Sequence, residues 1–330
     1  MEMVRSKGEI DGRFTTIMIG HSFADRAFDI IDQMRECRQT SKPGSPQNCG
    51  TFFGESNTGK STTIDMYMET RLVDDCIRRG LASSTTDRSA ILKNQRIVVS
   101  INLPSNTSMK SLAIAMLEAL GDPNPRRGTT YDQLFRATLL MRKHNVELLI
   151  FDECDHLRVP VPRGKPNRDE ATSVHNHLKN LLIAGFPILF VGIPQAREKL
   201  FSDDQMKKRE MYRISPVEMV WANDEHRRIY QEFCADLGIS LMEKRIMREI
   251  SDFISPNTIQ CLFEAGGKSI GGTIRIVQRA SEFAFEKQAP KVEWEHLKFA
   301  ADEITAFCSY NPFREGIRAT KLTSEIGRNG

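Results

Sequence analysis

Several features that would narrow the class of this protein are missing from its sequence. Seven cysteines (Cys37, Cys49, Cys76, Cys154, Cys234, Cys261, Cys308) are scattered, with no C-x-x-C pair and no Cys/His spacing suited to zinc. That excludes a zinc ribbon and points to reduced thiols. The longest uncharged apolar stretch, Leu181 to Pro194, is broken by Gly185 and Pro187 and is too short to span a bilayer. The first twenty residues carry Glu2, Arg5, Lys7, Glu9, Asp11 and Arg13, so no secretory signal is expected and a cytoplasmic location is. Net charge is only +3 over 330 residues, so bulk electrostatics do not mark a nucleic-acid protein and local clusters must carry that case. No internal repeat or low-complexity tract is visible. The guanine-reading N-K-x-D signature is absent as well.

What is present begins at residue 54. Gly54-Glu55-Ser56-Asn57-Thr58-Gly59-Lys60-Ser61 is a complete G-x-x-x-x-G-K-[ST] phosphate loop, followed by Thr62. Its backbone N–H groups can cradle a nucleotide's phosphates, Lys60 can reach the β- and γ-phosphates, and Ser61 can bind Mg²⁺. The apolar Thr51-Phe52-Phe53 before it reads as a strand end, and Thr62 to Arg79 reads as a helix. The phosphates would then sit at a helix N-terminus, where backbone donors and the dipole favour anions. With N-K-x-D missing, adenine is favoured, so ATP and Mg²⁺ are the expected ligands.

A second motif indicates turnover. Val146 to Asp155 reads VELLIFDECD, an apolar run closing on Asp152 and Glu153. A buried parallel strand has this composition, and ligands gather at the C-terminal ends of such strands. Asp152 is placed to hold the Mg²⁺ shell and Glu153 to take a proton from the attacking water.

Ser22 with Asp25 has capping-box spacing for a helix to about Arg38, with Phe23, Phe28, Ile31 and Met34 on its apolar side. Pro43, Gly44 and Pro46 mark a linker through Asn48, whereas the first dozen residues look loose. Strands are expected at about 49–53, 96–103, 146–151, 186–192 and 211–215, with helices between them, which implies an α/β parallel sheet covered on both faces. Thr130 and Gln133 have near capping-box spacing after the loop 121–129. Residues 158–168 read as a mobile loop beside the nucleotide site. Helical patterns follow at about 223–237, 242–253, 256–265, 272–287 and 292–308. The expected division is an N-terminal extension (1–44), a nucleotide domain (45–216), a helical lid (217–308) and a flexible tail (309–330).

Five strands, the phosphate loop after the first, the acidic pair after the third and a helical lid resemble the AAA+ ATPases over about residues 45 to 308. The resemblance implies sheet order 5-1-4-3-2. It also implies a polar sensor after the fourth strand. That strand runs into Phe190-Val191-Gly192-Ile193-Pro194-Gln195 with no Asn or Thr, leaving Gln195 either as a substitute or as a plain helix start. Arg209, in Gln205-Met206-Lys207-Lys208-Arg209 before the fifth strand, sits where these ATPases carry an arginine that completes a neighbour's site; Lys208 and Arg213 are nearby. Gly272-Thr273-Ile274-Arg275 resembles the lid sensor, in which Arg275 would touch the γ-phosphate.

The spelling G-E-S-N-T-G-K-S, the trio Asp152, Glu153 and His156, V-G-I-P-Q-A at 191–196 and Q-M-K-K-R at 205–209 resemble the TniB/TnsC family of Tns-type transposition regulators, including those of CRISPR-associated transposons. That resemblance implies a homo-oligomeric ring or filament on double-stranded DNA. It also implies a TniQ-type targeting adaptor and a transposase as partners, and an assembly reset by ATP hydrolysis. Phosphate-tracking contacts need Lys and Arg rather than base-reading geometry. Lys110, Arg126 and Arg127 are the candidates, followed by Thr129 and Lys143. The alternatives are an initiator or helicase-loader ATPase, and a non-turnover ATP-switched scaffold in phage defence.

Overall fold

Short runs of β-branched and aromatic residues alternate with helices through the middle of the chain, and the three central runs are buried on both faces. In the computed structural model, which describes residues 2–56, 58–158, 170–202, 204–216 and 219–318, contacts divide the chain into two compact units. One is 22–217; the other joins 1–21 to 218–330. The first twenty-one residues, including α1 (Lys7–Phe14), therefore do not share a unit with α2 (Ser22–Thr40), and the expected single extension 1–44 is split between the two.

In the unit 22–217, α2 is followed by β1 (Cys49–Phe53), α3 (Lys60–Tyr67), a π-helical turn at Met68–Leu72, α4 (Val73–Arg78), α5 (Arg88–Asn94) and β2 (Val98–Asn102). Then come α6 (Met109–Ala119), α7 (Thr130–Lys143), β3 (Leu148–Asp152), a 3₁₀ turn at Cys154–His156 and α8 (Glu170–Ile183). β4 (Ile188–Gly192), α9 (Gln195–Leu200), α10 (Asp204–Lys207) and β5 (Glu210–Ile214) complete it. All strand pairs are parallel and the order is β2-β3-β4-β1-β5, which is the expected 5-1-4-3-2 read from the other edge. Leu149, Phe151, Ile188 and Phe190 fill the centre, and Leu112, Met116, Met141, Leu178 and Leu182 cover it from α6, α7 and α8. Parallel pairing places Phe53, Asn102, Asp152 and Gly192 at one edge, the C-terminal edge where a ligand is met.

Local details depart from expectation for identifiable reasons. Ser22 Oγ is buried without a hydrogen-bond partner, so the anticipated capping box is not formed there. The capping box of α7 is Thr129 with Asp132 rather than Thr130 with Gln133, because Gln133 is buried and donates to the Pro125 carbonyl. Most of the loop 158–168 lies outside the described residues.

The other unit is helical: α1, α11 (Asp224–Glu243), α12 (Pro256–Ala265), α13 (Ile270–Glu286), α14 (Trp294–Glu303) and α15 (Pro312–Glu315). The opening residues are ordered rather than loose. Ser6 Oγ caps α1 through Glu9 N–H (3.2 Å), and Ile10 and Phe14, four residues apart, are buried. The helix expected at 242–253 does not form. Arg245 takes φ 56°, Ile246 N–H and Met247 N–H both donate to Leu241 O, and Arg248 and Glu249 N–H donate to Pro290 O. A Cβ on Gly238 would stand 2.1 Å from Ser251 O, so this irregular segment lies directly on α11. The expected tail also begins later than residue 309. Asn311 is buried and donates to Lys298 O (2.8 Å) and Asp302 (2.6 Å), and the Phe313 ring packs 4.9 Å from Trp294. Residues 319–330 lie outside the described residues.

Candidate nucleotide site

The phosphate loop leaves β1 with its first residue already tied down: Gly54 N–H donates to Gly192 O at the end of β4 (3.1 Å). A Cβ at Gly54 would lie 2.2 Å from Pro216 Cγ and 3.0 Å from Thr58 Oγ1, so only glycine fits. Thr58 Oγ1 donates to Glu55 O (2.8 Å), folding the loop on itself. Gly59 then turns the chain with φ 82°, ψ 13° and opens α3 without any side-chain cap. The first-turn N–H groups of α3 are thereby left for an anion. Glu55, Ser56, Ser61 and Thr62 are exposed around this mouth, whereas Asn57 lies outside the described residues.

Lys60 Nζ donates to Gly54 O (2.7 Å) and Glu55 O (2.8 Å), holding the ammonium over the loop. Burial lowers its pKa, opposed by the charges of Asp152, Glu55 and Asp155. Ser61 Oγ donates to Asp152 Oδ2 at 3.1 Å, so a hydroxyl from α3 and a carboxylate from β3 converge on one point. An oxygen-ligand pair of this kind suits Mg²⁺, which keeps most of its waters and takes few protein ligands. Cradle, ammonium and oxygen pair fit a nucleoside triphosphate with its cation.

Beyond Asp152 the backbone is strained. Glu153 adopts φ 58°, ψ 40°, a left-handed conformation uncommon for glutamate, and its N–H donates to Asp152 Oδ1 (2.7 Å). This turn leaves the Glu153 side chain 55% exposed instead of burying it with the strand. His156 packs against this turn. Its backbone N–H donates to Glu153 O (2.9 Å), its Nδ1 lies 2.7 Å from Leu103 O, and the same nitrogen is 3.5 Å from Glu153 Oε2. A proton on Nδ1 donated to Leu103 fixes the ring beside the Glu153 carboxylate. Underneath, Cys154 is fully buried; burial pushes its thiol well up, and it donates to Phe151 O (3.2 Å).

Gln195 is exposed in the first turn of α9, three residues past the Gly192 that holds Gly54. Arg209 is at the opposite edge. Its carbonyl accepts from Cys49 N–H (2.8 Å) at the start of β1, and its Nη1 is 3.3 Å from Gln47 O. A five-residue strand separates it from Gly54, about 15 Å at the rise of a strand, so it cannot serve the loop of its own chain. Lys208 is exposed, and Arg213, 61% exposed, bonds to Glu210 (3.0 Å). Arg275 lies in the helical unit, exposed in the second turn of α13. Lys110, Arg126 and Arg127 are all exposed but do not make one spot. Arg126 reaches toward Glu118 (3.9 Å), which is roughly 12 Å along α6 from Lys110.

Two polar centres escaped the sequence reading. Glu210 accepts from Arg197 (2.5 Å), Arg213 (3.0 Å) and Thr51 (2.9 Å). Burial alone would raise its pKa, but these donors draw it down to about 2. The other centre is Arg35 on α2, which is 3% exposed. It donates to Glu147 (2.8 and 3.1 Å), Asp75 (2.6 Å), Tyr67 Oη (2.8 Å) and Asp32 (3.3 Å). Arg79 braces the same two buried acids, at 3.0 Å from Asp75 and 2.7 Å from Glu147. The phosphate-loop helix, through Tyr67 and Asp75, is thus clamped to Glu147, the residue that precedes the acidic-pair strand β3. An arginine one turn after Ile31 on an apolar face, and a glutamate opening the run VELLIFD, were the available signals.

The family model described as bacterial TniB protein matches residues 17–217. Among curated proteins none matches the sequence. The Aeropyrum pernix Orc1 protein in complex with DNA superposes with a TM-score of 0.58 at 13% identity, covering 91% of this chain and 69% of that one. Cdc6p of Pyrobaculum aerophilum gives 0.55 at 15% identity, with coverage of 85% and 66%. The ADP form of the Aeropyrum pernix Orc2 protein gives 0.55 at 14% identity, with coverage of 85% and 68%. At such identities the likeness establishes the fold, an AAA+ P-loop architecture.

Proposed function

The chain belongs to the bacterial TniB family of AAA+ transposition proteins, and from that premise we propose that it is an ATP-hydrolysing regulator of DNA transposition. It assembles on duplex DNA as a ring or filament, links a TniQ-type target selector to the transposase, and is reset by hydrolysis. The observation that carries the ATPase reading is the convergence of Ser61 and Asp152 (3.1 Å) beside Lys60, with Glu153 turned out of its strand next to them.

Each residue then has one task. The first-turn N–H groups of α3 and Lys60 bind the phosphates, and Ser61 and Asp152 would hold Mg²⁺, which neutralises charge on the phosphate oxygens when bound. Glu153 accepts a proton from the attacking water, and the His156 backbone N–H, donating to Glu153 O, holds the turn that presents it. Arg209, too far from its own loop to serve it, is assigned to a neighbouring subunit's site, and Arg275 keeps the sensor role that the family resemblance implies. Head-to-tail subunits arranged this way make heterologous contacts, which close into rings or run on as filaments. Exposed Glu153 also disfavours a non-turnover switch, which has no use for a water-activating base.

Lys110, Arg126 and Arg127 are proposed to track DNA phosphates from the assembled state. The test is a duplex titration at several salt concentrations with a non-hydrolysable ATP analogue. Binding should require the analogue, fall steeply with salt and vary little with sequence. Replacing the three by alanine should flatten the salt slope while nucleotide binding stays intact. An unchanged slope and affinity would move the DNA surface elsewhere.

A further inference from the structure

Along α7, Tyr131, Phe135 and Leu139 are 79%, 56% and 47% exposed, while Gln133, Ala137 and Met141 on the opposite side are buried. No other helix among the described residues sets three large apolar side chains in one exposed row. The i, i+4, i+8 spacing makes them a single ridge about 12 Å long, the kind of ridge that seats in the groove of a second helix. Together they expose on the order of 300 Å² of apolar surface, the size of the largest patch on a typical monomer, which is often functional.

Charge at the two ends narrows the occupant. Arg126 and Arg127 precede the helix, and Arg142 and Lys143 close it. Of the nearby acids, Asp132 is engaged in capping Thr129, Asp122 is held by Arg136 at 3.0 Å, and Glu118 is 3.9 Å from Arg126. Among the described residues Arg127, Arg142 and Lys143 have no acidic partner. A second copy of α7 is a poor fit: packed antiparallel it would set Arg126 and Arg127 against Arg142 and Lys143, and packed parallel each pair against itself. Duplex DNA would lay phosphates over three apolar side chains.

We propose that this face of α7 docks an amphipathic helix with acidic residues at its ends, carried by one of the proteins the chain recruits. The identity of that carrier rests on the function proposed above; the chemistry of the docking surface does not. The ridge supplies the apolar anchors and the two cationic ends fix register and direction, the division of labour usual between interface core and rim.

The test uses the full chain and a labelled synthetic helical peptide with a leucine i, i+4 ridge and glutamates at both ends, followed by fluorescence anisotropy. A counterpart peptide has lysines in place of the glutamates. Expected are salt-sensitive binding of the glutamate peptide, no binding of the lysine peptide, and a loss of at least about tenfold for Phe135→Ser and for Arg142→Glu with Lys143→Glu. Both variants change exposed side chains and should keep wild-type ATP hydrolysis, and Phe135→Ser, which touches no candidate DNA contact, should also keep duplex binding. Equal binding of the two peptides, or wild-type affinity in Phe135→Ser, overturns the proposal. So does loss of duplex binding in Phe135→Ser, which would make the ridge a nucleic-acid surface. Loss of ATP-dependent self-association in sedimentation overturns it too, by assigning the ridge to a second copy. If the peptides behave as expected and the wild-type chain does not hydrolyse ATP, the docking surface stands and the functional reading falls.

Discussion

Replacing Arg35 by methionine keeps most of its volume and removes the one cation that touches Glu147, Asp75, Asp32 and Tyr67 together. Deleting one partner of a buried charge cluster costs about 3–5 kcal/mol, because the remaining charges stay buried without compensation. Arg79 still lies 3.0 Å from Asp75 and 2.7 Å from Glu147, which places the loss at the lower end, about 3 kcal/mol. For a unit of this size that lowers the melting temperature by roughly 10 °C. Differential scanning calorimetry reads it directly, and the transition that an ATP analogue raises identifies the nucleotide unit. Arg88→Ala is the control: Arg88 pairs with Asp74 at 2.6 Å in the same unit, but both side chains are at least half exposed, so under about 1 kcal/mol is expected. Adding Asp75→Asn and Glu147→Gln to Arg35→Met should recover part of the loss by neutralising the stranded acids. A loss no larger than that of Arg88→Ala, or a further drop on neutralising the acids, would refute the clamp.

Two other outcomes follow from the geometry. Glu210 has its folded-state pKa drawn from 4.5 to about 2, so its stabilisation is complete above about pH 4.5 and is lost as pH falls toward 2. With Arg197 39% and Arg213 61% exposed, Glu210→Gln should cost about 2 kcal/mol at pH 7 and roughly half that at pH 3; denaturation midpoints at both pH values check this, and an unchanged gap contradicts it. Arg209→Ala should bind nucleotide normally yet turn it over slowly when assembled, and mixing it with Lys60→Ala should restore composite sites; normal turnover by Arg209→Ala alone, with no gain on mixing, rules out the role in trans.

The nucleotide site was legible because its chemistry is local. A glycine with left-handed φ at Gly59 and a lysine that reaches back over its own loop are short-range arrangements that a motif can spell, and Asp152, 91 residues from Ser61, stood out because it closes an apolar strand run. The strands were legible for a related reason, since VELLIFD and ILFVG are buried on both faces and need little context. Long-range partners were not. Arg35 meets acids 40 and 112 residues away, and nothing in its own helix tells a buried arginine from a solvated one except its place on an apolar face. The segment 242–253 has a helical apolar pattern, but Gly238 opens a site on α11 that brings the backbone at Ser251 into close contact instead. Asn311 and Phe313 sit in a polar stretch whose order depends on Asp302 and Trp294. The left-handed Glu153 had no signal at all, because glutamate carries no preference for that conformation.

The assignment of Glu153 as the base is tested most directly by Glu153→Gln. The substitution keeps the shape of the side chain and removes its ability to take a proton. Hydrolysis by wild type, Glu153→Gln and Lys60→Ala should be measured by phosphate release, with and without duplex DNA, alongside binding of a fluorescent ATP analogue. Glu153→Gln should bind the analogue and assemble as wild type does while hydrolysing ATP about 10²–10⁴ times more slowly. Lys60→Ala should lose binding and assembly together, since its ammonium acts on the phosphates rather than on water. Hydrolysis by Glu153→Gln at the wild-type rate would contradict the assignment of Glu153 and, with it, the reading of this site as an ATP-hydrolysing centre organised around Asp152 and Ser61.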